Sequence, residues 1–578
     1  MESVTTLQTQ KQWIVSPPMD ARFRDFLPEV HPVVLQLLAN RGLTTPEAVK
    51  AFLHADYAED LHDPFLFRDM RPAVDRIYAA IDRGEKIVVH GDYDADGVCG
   101  SVVLVSTLRA LGANVDVYIP HRENEGYGVS LATVESLANA GCKLMITTDC
   151  GTSSVQEVHR ANALGMDVIV TDHHQPPPEL PAAFALLNPQ VAGESYPFKF
   201  LSGSGVAFKL ADALARSDDQ KKLPTGFEKW LLDVVALSTV TDIMPLLGEN
   251  RVLVKYGLIV LRKTRRRGLR ALFQLAGSEL SQADTTTLGF VVGPRINAAG
   301  RLHHALSAFH LLMTEDPQEA QQLAVELEQT NRDRQNIARA MTDEAKAQLQ
   351  TESAGEIAVC VTYNKSWSVG VVGLVAGRLC DAFGKPSFVF TQNAGKMIGS
   401  GRSVKTIDIT KLLRTMEDQF ERFGGHAQAC GLTLKQEISI EAFRERVNQA
   451  VGAISDPAML RPQLFVDAEV PLEEITWEFF EALEALEPFG EGNPLPVLMS
   501  SMCTVVGVQA VGKEGRHLQL RLAASTPAVK KCIGFDFGAW GARLSVGDVL
   551  DVVYNVTVNE WKGNRELQLK ILDLQHHV

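Results

Sequence analysis

The sequence predicts an α/β protein: two α/β lobes joined by a long helix, with a small β-barrel at the C-terminal end. Three observations predict it. Short apolar runs alternate with amphipathic stretches from about residue 85 to 245. A helical pattern fills residues 315–352. From about residue 460 the character changes to alternating β segments broken by Gly, Asn and Lys. At 578 residues the chain exceeds what one hydrophobic core supports, so several domains are expected.

Residues 1–80 read as a helical cap on the first lobe, with Thr45-Pro46 marking a helix start in HPVVLQLLANRGLTTPEAVKAFL. The first lobe is placed at 81–314. Its strands are KIVVHGD (86–92), NVDVYIP (114–120), KLMITTD (143–149), DVIVTDH (167–173) and FALLNP (184–189). The intervening stretches SVVLVSTLRALG and SSVQEVHRANALG each end in glycine, as helices often do. In the connecting helix (315–352), Pro317 sits near the start, and Leu323, Leu327, Ile337, Met341, Ala345 and Leu349 recur at helical spacing. The second lobe, 353–458, holds IAVCVTY, PSFVFT, KMIGSGRS and the glycine-rich turn GGHAQACG. Five short strands in 459–578 then suggest a barrel of OB-fold type.

Composition narrows the class. Hydrophobic residues make up 46% and charged residues 22%, as in ordinary globular chains. No apolar stretch is long enough to span a membrane, and the N-terminal sequence shows no secretory pattern. The eight cysteines are scattered singly, without zinc or redox spacing, which fits a reduced cytoplasmic setting. A net charge of −14 argues against a protein that coats nucleic acid nonspecifically. It leaves room for local basic surface: RKTRRRGLR (262–270) has six basic residues in nine, readable either as such a surface or as a solvated face.

The chemistry concentrates at the ends of the predicted strands. HGDYDADG starts like a calcium loop, but the twelfth position is Val103 and the preceding segment is a strand, so that reading fails. Ligands of open α/β sheets gather beyond the carboxyl ends of the strands. His90, Asp92, Asp94, Asp96, Asp149, Asp172, His173, His174 and Asp242 would therefore converge. Carboxylates with a few imidazoles suit Mn²⁺ or Mg²⁺, and two such ions suit hydrolysis of a phosphoester. Any one of these aspartates could instead cap a helix or turn. Four clusters at successive strand ends favour a metal site.

HGDYDADG, TTDCG, TDHH and the Asp242 segment resemble the four N-terminal motifs of the DHH phosphoesterase superfamily. GFVVGPRINAAGRL, SWSVGVVGLVAGRL, GSGRS and GGHAQACG are similar to motifs of its bacterial single-strand-specific exonuclease branch. The resemblance spans nearly the whole chain and implies DHH and DHHA1-like lobes. It also implies two Mn²⁺ or Mg²⁺ ions held by His90, Asp94, Asp96, Asp149, His173 and Asp242, with Asp149 bridging. His174 would reach the scissile phosphate, and Asp92 and Asp172 would support the ligands from behind. Ser400 and Arg402 would clamp a 5′-phosphate with help from Arg122, while Arg295, Asn297 and Arg301 hold the backbone. His426 would donate to substrate, although a turn histidine can equally be structural. Each arginine could instead be a surface ion pair. Among Phe535, Phe537, Trp540, Tyr554 and Trp561, Trp561 is the best candidate for stacking on a base.

The implied activity is 5′-to-3′ hydrolysis of single-stranded DNA to 5′-mononucleotides in recombination and repair. The implied partners are single-strand-binding protein and a RecQ-type helicase, with the enzyme itself a monomer. Two alternatives stand beside it: a small-molecule or oligonucleotide phosphatase of the same superfamily, and a non-catalytic replication scaffold.

Overall fold

The computed structural model describes residues 11–122, 125–352, 358–454, 463–524, 528–561 and 563–577. The chain forms two compact units, one of Tyr57–Leu460 and one of Met1–Asp56 with Arg461–Val578.

Within the first unit, five parallel strands lie in the order Asn114–Tyr118, Lys86–Gly91, Cys142–Thr148, Asp167–Thr171 and Ala185–Leu187. All five were expected from the sequence. The three central strands are almost wholly buried, as both faces of a parallel sheet are covered by helices, so they read as continuous apolar runs. Because they run parallel, the segments after them emerge at one edge of the sheet. Helix Ala95–Ala110 starts there at once, and Gly97 is why it can: a Cβ at that position would lie 2.4 Å from the Asp92 nitrogen. Helices Gly203–Arg216 and Leu232–Thr241 pack against it in the main hydrophobic core.

The apolar run 230–245 was expected to present Asp242 in the manner of a strand end. It is instead helix Leu232–Thr241, with Asp242 as its C-cap. A helix buried on nearly every side has no amphipathic period, so residue pattern alone cannot separate it from a buried strand. The long helix spans Pro317–Glu352 as predicted. It leads to a second sheet of five strands in the order Phe420–His426, Ala429–Leu434, Lys396–Arg402, Ser387–Asn393 and Cys360–Tyr363.

The expected N-terminal cap of residues 1–80 is divided between the units. Helix Met70–Asp82 belongs to the sheet's core, through Met70, Val74 and Ile77. Residues up to Asp56 belong with the C-terminal part. A strand, Gln12–Val15, pairs in parallel with Gln463–Val466, and the Trp13 indole donates to Asp573 at 2.9 Å. A four-residue strand whose partner lies at the far end of the chain leaves no local signal.

In that second unit Leu498–Val511, His517–Ala523, Val529–Gly534, Asn564–His576 and Val549–Trp561 form the expected closed barrel, the last strand pairing back onto the first. No helix among the described residues is long and apolar enough to cross a membrane.

Candidate metal centre and strand-binding surface

At the carboxyl edge of the parallel sheet three groups of ligand atoms gather, each within 4.8 Å: Asp149 with His173 and His174, Asp96 with His173 and Asp242, and Asp92 with Asp94 and Asp149. His173 Nε2 is common ground, 3.1 Å from Asp149, 3.6 Å from Asp242 and 3.7 Å from Asp96. Asp92, expected to stand behind the ligands, is a full member of the third group. His90 falls in none of them, although its Nε2 is buried without a hydrogen-bond partner.

The local fold explains each position. Asp94 caps helix Ala95–Ala110 with one carboxylate oxygen, accepting from the Asp96 and Gly97 N–H groups at 2.9 and 3.2 Å. Asp96 accepts from the Gly203 and Ser204 N–H groups, at 2.6 and 2.7 Å, at the start of helix Gly203–Arg216, and from the Ser238 hydroxyl. Asp149 sits in the left-handed region, φ 62°, where a β-carbon is strained. Its N–H donates to Thr171 O, and its carbonyl accepts from the Tyr127 hydroxyl at 3.0 Å. Asp242 is followed by Ile243, another left-handed residue at φ 58°.

Electrostatics mark this as a site suited to cations. Burial, and then the neighbouring carboxylates, push the Asp92, Asp149 and Asp242 carboxyls well above the usual range. One oxygen each of Asp92 and Asp242 is buried without a hydrogen-bond partner. Burial lowers His90 to about 4, leaving its imidazole neutral. Orphaned carboxylate oxygens beside neutral imidazoles are a donor set that fits Mn²⁺ or Mg²⁺.

His174 is prepared differently. Its Nδ1 lies 2.8 Å from Asp172, which also accepts from the His173, His174 and Thr152 N–H groups. Burial opposes both charges, but their mutual bond holds the Asp172 carboxyl below the usual range and raises His174. Tyr127, absent from the sequence-based set, touches His174 Nδ1 at 3.0 Å.

The expected phosphate-binding residues divide by partner. Arg402 donates to Ser400 Oγ at 3.1 Å and to Gly401 O, with no acidic partner among the described residues. Arg301 donates to Gly370 O at 3.1 Å, and Arg122 lies over the Tyr93 ring. Arg295 is instead ion-paired to Glu328 at 2.7 Å, and Asn297 accepts from the Ala95 N–H at 2.8 Å, steadying the aspartate loop. His426 ends a strand, exposed, at a hairpin. In the barrel Tyr554 and Phe537 are buried, Phe535 is exposed, and the Trp561 side chain lies outside the described residues. The basic run 262–270 is partly folded inward: Arg266 pairs with buried Asp233 at 3.2 Å, and Arg265 lies over the Trp230 ring.

A parallel α/β sheet edged with aspartates and a histidine pair defines a phosphoesterase of the DHH class, and the DHH family N-terminal domain matches residues 86–239. The DHHA1 domain matches 356–453 and the RecJ OB domain 466–573. The single-stranded-DNA-specific exonuclease RecJ of Bacillus subtilis is 38% identical over 98% of this chain and 71% of its own. RecJ from Thermus thermophilus in complex with Mn²⁺ superposes with a TM-score of 0.82 at 30% identity, over 98% of this chain and 79% of that one. Its complex with Mg²⁺ gives 0.75 at 29%, over 98% and 78%. The chain belongs to the RecJ family.

Proposed function

We propose that this chain is a divalent-metal-dependent exonuclease that removes 5′-mononucleotides from the 5′ end of single-stranded DNA, in recombination and repair. The observation that carries the reading is a buried carboxylate cluster with orphaned oxygens, in the same unit as arginines that have no acidic partner among the described residues. The single-strand-specific exonuclease activity of its relatives points the same way.

Asp92, Asp94, Asp96, Asp149, His173 and Asp242 would hold the ions, with His90 beside them. Bound divalent ions supply positive charge against the phosphate and acidify water. The protein's own groups do the rest. Backbone N–H groups at a helix start fix Asp96, so its carboxylate needs no rearrangement when substrate arrives. Asp172 holds His174 through Nδ1, which leaves Nε2 to carry a proton to the departing 3′-oxygen. Ser400 and Arg402 receive the terminal phosphate, since a guanidinium fork matches phosphate oxygens, and Arg122 and Arg301 add charge. Arg295 reaches substrate by exchanging Glu328 for a phosphate, and Asn297 offers its amide nitrogen. His426 donates to substrate, and Trp561 stacks on a base.

The barrel suits a polymeric substrate better than a small phosphoester. We assign single-strand-binding protein and a RecQ-type helicase as partners, and a monomeric enzyme in the cytoplasm, where its eight buried free cysteines stay reduced.

The test is a single-stranded oligonucleotide labelled at either end, with and without a 5′-phosphate, in Mn²⁺, Mg²⁺ or EDTA. Release of a labelled mononucleotide from the 5′ end, and stepwise shortening of the 3′-labelled strand, is the expected result. Absence of cleavage in both metals, with hydrolysis of pyrophosphate or dinucleotides, would overturn it.

A further inference from the structure

Arginines of the catalytic unit are of two kinds. Arg76, Arg216, Arg266 and Arg295 each meet a carboxylate. Arg334 does not. It projects from the long helix, half-buried, and its Nη2 donates to Asn331 Oδ1 at 2.8 Å. Asn331 is itself only 1% exposed, so this bond fixes the guanidinium in place. The Nε–H is buried and has no partner, and no carboxylate lies within ion-pair distance of Arg334 among the described residues. Arg378 stands on helix Val372–Phe383, which packs on the long helix around Ala338 and Met341, and the charges of Arg378 and Arg295 together with burial lower the pKa of Arg334.

Such an arrangement costs the free protein stability. An unmade hydrogen bond at a buried donor and a charge set among like charges are both unfavourable, and methionine would fill the position at less expense. What offsets the cost is an anion with oxygens to fill the fork. The position in the unit says which anion. Burial and the charges of Arg122, Arg334 and Arg402 bring Arg301 down to about 10, while Asp94 pulls the other way. Helix Gly293–Leu302, which carries Arg301, packs on the long helix and reaches the aspartate loop through Asn297, so Arg334 lies one element away from the carboxylate cluster.

We propose that Arg334 and Arg378 form a binding site for an internal phosphodiester of single-stranded DNA, distinct from the residues that take the 5′ end. The proposal rests on the nuclease reading and adds a contact that none of the sequence motifs marks. A site for an internal phosphate is filled only when the strand is long enough to reach it. The terminal phosphate is present on every strand, so the two can be separated by length.

The experiment measures binding of 3′-fluorescein oligothymidylates with a 5′-phosphate, from the dinucleotide upward, by anisotropy in EDTA so that nothing is cut. Wild type, Arg334→Gln, Arg334→Lys and Arg378→Gln are compared, each checked by thermal unfolding. For Arg334→Gln, affinity should fall about tenfold above a threshold length. The slope of log K against log salt should lose about 0.7, the value for one single-strand phosphate contact. Arg334→Lys should restore the slope but only part of the affinity, because it returns the charge without the fork. Arg378→Gln should show the same threshold. Wild-type affinity and slope in Arg334→Gln at every length would sink the site, and so would an equal loss on the dinucleotide. If wild type bound no oligonucleotide at all, the nuclease reading would fail and the site with it.

Discussion

Two groups of buried charge lie in the same unit, and their chemistry is opposite. Around Lys209 each charge meets its complement. The ammonium is 2.5 Å from Glu249 and donates to His62 O at 3.0 Å. The Tyr196 hydroxyl donates to Glu249 at 2.6 Å, and the His62 N–H donates to it at 2.9 Å. Around Asp149 carboxylates face carboxylates, with oxygens left unpartnered. The first group is complete in the free protein and holds segments together. The second is complete only with a ligand. Burial alone does not separate the two, since Asp96 and Asp149 are as buried as Lys209 and Glu249; the pairing does.

The largest expected effect breaks the second group. Asp149→Asn should lower the rate of nucleotide release about a thousandfold or more, as removal of a central catalytic group does elsewhere. Without metal, however, the variant should unfold at the same temperature as wild type or higher, because one of several repelling carboxylates is gone. Added Mn²⁺ should stabilise wild type, by about 2.7 kcal/mol at a hundredfold excess over Kd, and the variant much less. Thermal scans with and without metal, alongside initial rates, check all three. A variant less stable than wild type in EDTA would mean that Asp149 is already compensated.

The complementary change breaks the first group. Lys209→Met leaves Glu249 buried and unpaired, which should cost about 3–5 kcal/mol in denaturant unfolding. The rate per folded molecule should be unchanged. Adding Glu249→Gln keeps an oxygen for the His62 N–H, lets the Tyr196 hydroxyl accept from the new amide instead of donating, and should recover most of the loss. Failure to recover would show that the ion pair itself, rather than the stranded charge, carries the stability.

An intermediate effect is expected behind the site. Asp172→Asn keeps the shape but withdraws the charge that orients and protonates His174. Loss of such a support typically costs about 10–100-fold in activity. Rates should fall by that amount, and the unfolding midpoint of the metal-free protein should fall as well, because the low carboxyl pKa of Asp172 is itself a contribution to stability. A rate per folded molecule that stayed at the wild-type value would make Asp172 a structural residue only.

How much could be read from sequence depends on the range of the interactions involved. The parallel strands announce themselves because burial on both faces writes an unbroken apolar run. The aspartates after Gly91 and Thr148 lie where such strands must end. Asp242 was found for the right chemistry on the wrong element, since a fully buried helix carries no period. Arg295 and Arg334 look alike in sequence. Only the fold shows that Glu328, on the long helix, neutralises the first while the second has no such partner among the described residues. Tyr127 likewise becomes visible only when its loop folds over His174. The N-terminal strand is invisible for the same reason, because its pairing partner begins at Gln463.

The smallest effect concerns the backbone, where the two groups also differ. Each has a left-handed residue beside a key carboxylate. Next to Glu249 it is Gly248, φ 50°, where the conformation is nearly free. Next to Asp242 it is Ile243, φ 58°, and the side chain is 68% exposed, so no packing repays the strain. The hydrogen bonds there are those of a helix end that ordinarily uses glycine: Ile243 N–H to Val240 O and Met244 N–H to Thr239 O. Ile243→Gly should therefore stabilise the metal-free protein by about 1 kcal/mol, the cost of a β-carbon in that region. If the isoleucine is kept only because the strain aims Asp242, then the glycine variant should bind Mn²⁺ more weakly while folding more stably. Opposite movements in a thermal scan and a metal titration would place the strain with the uncompensated charge. A glycine variant that gained stability and lost no metal affinity would separate the backbone strain from the site.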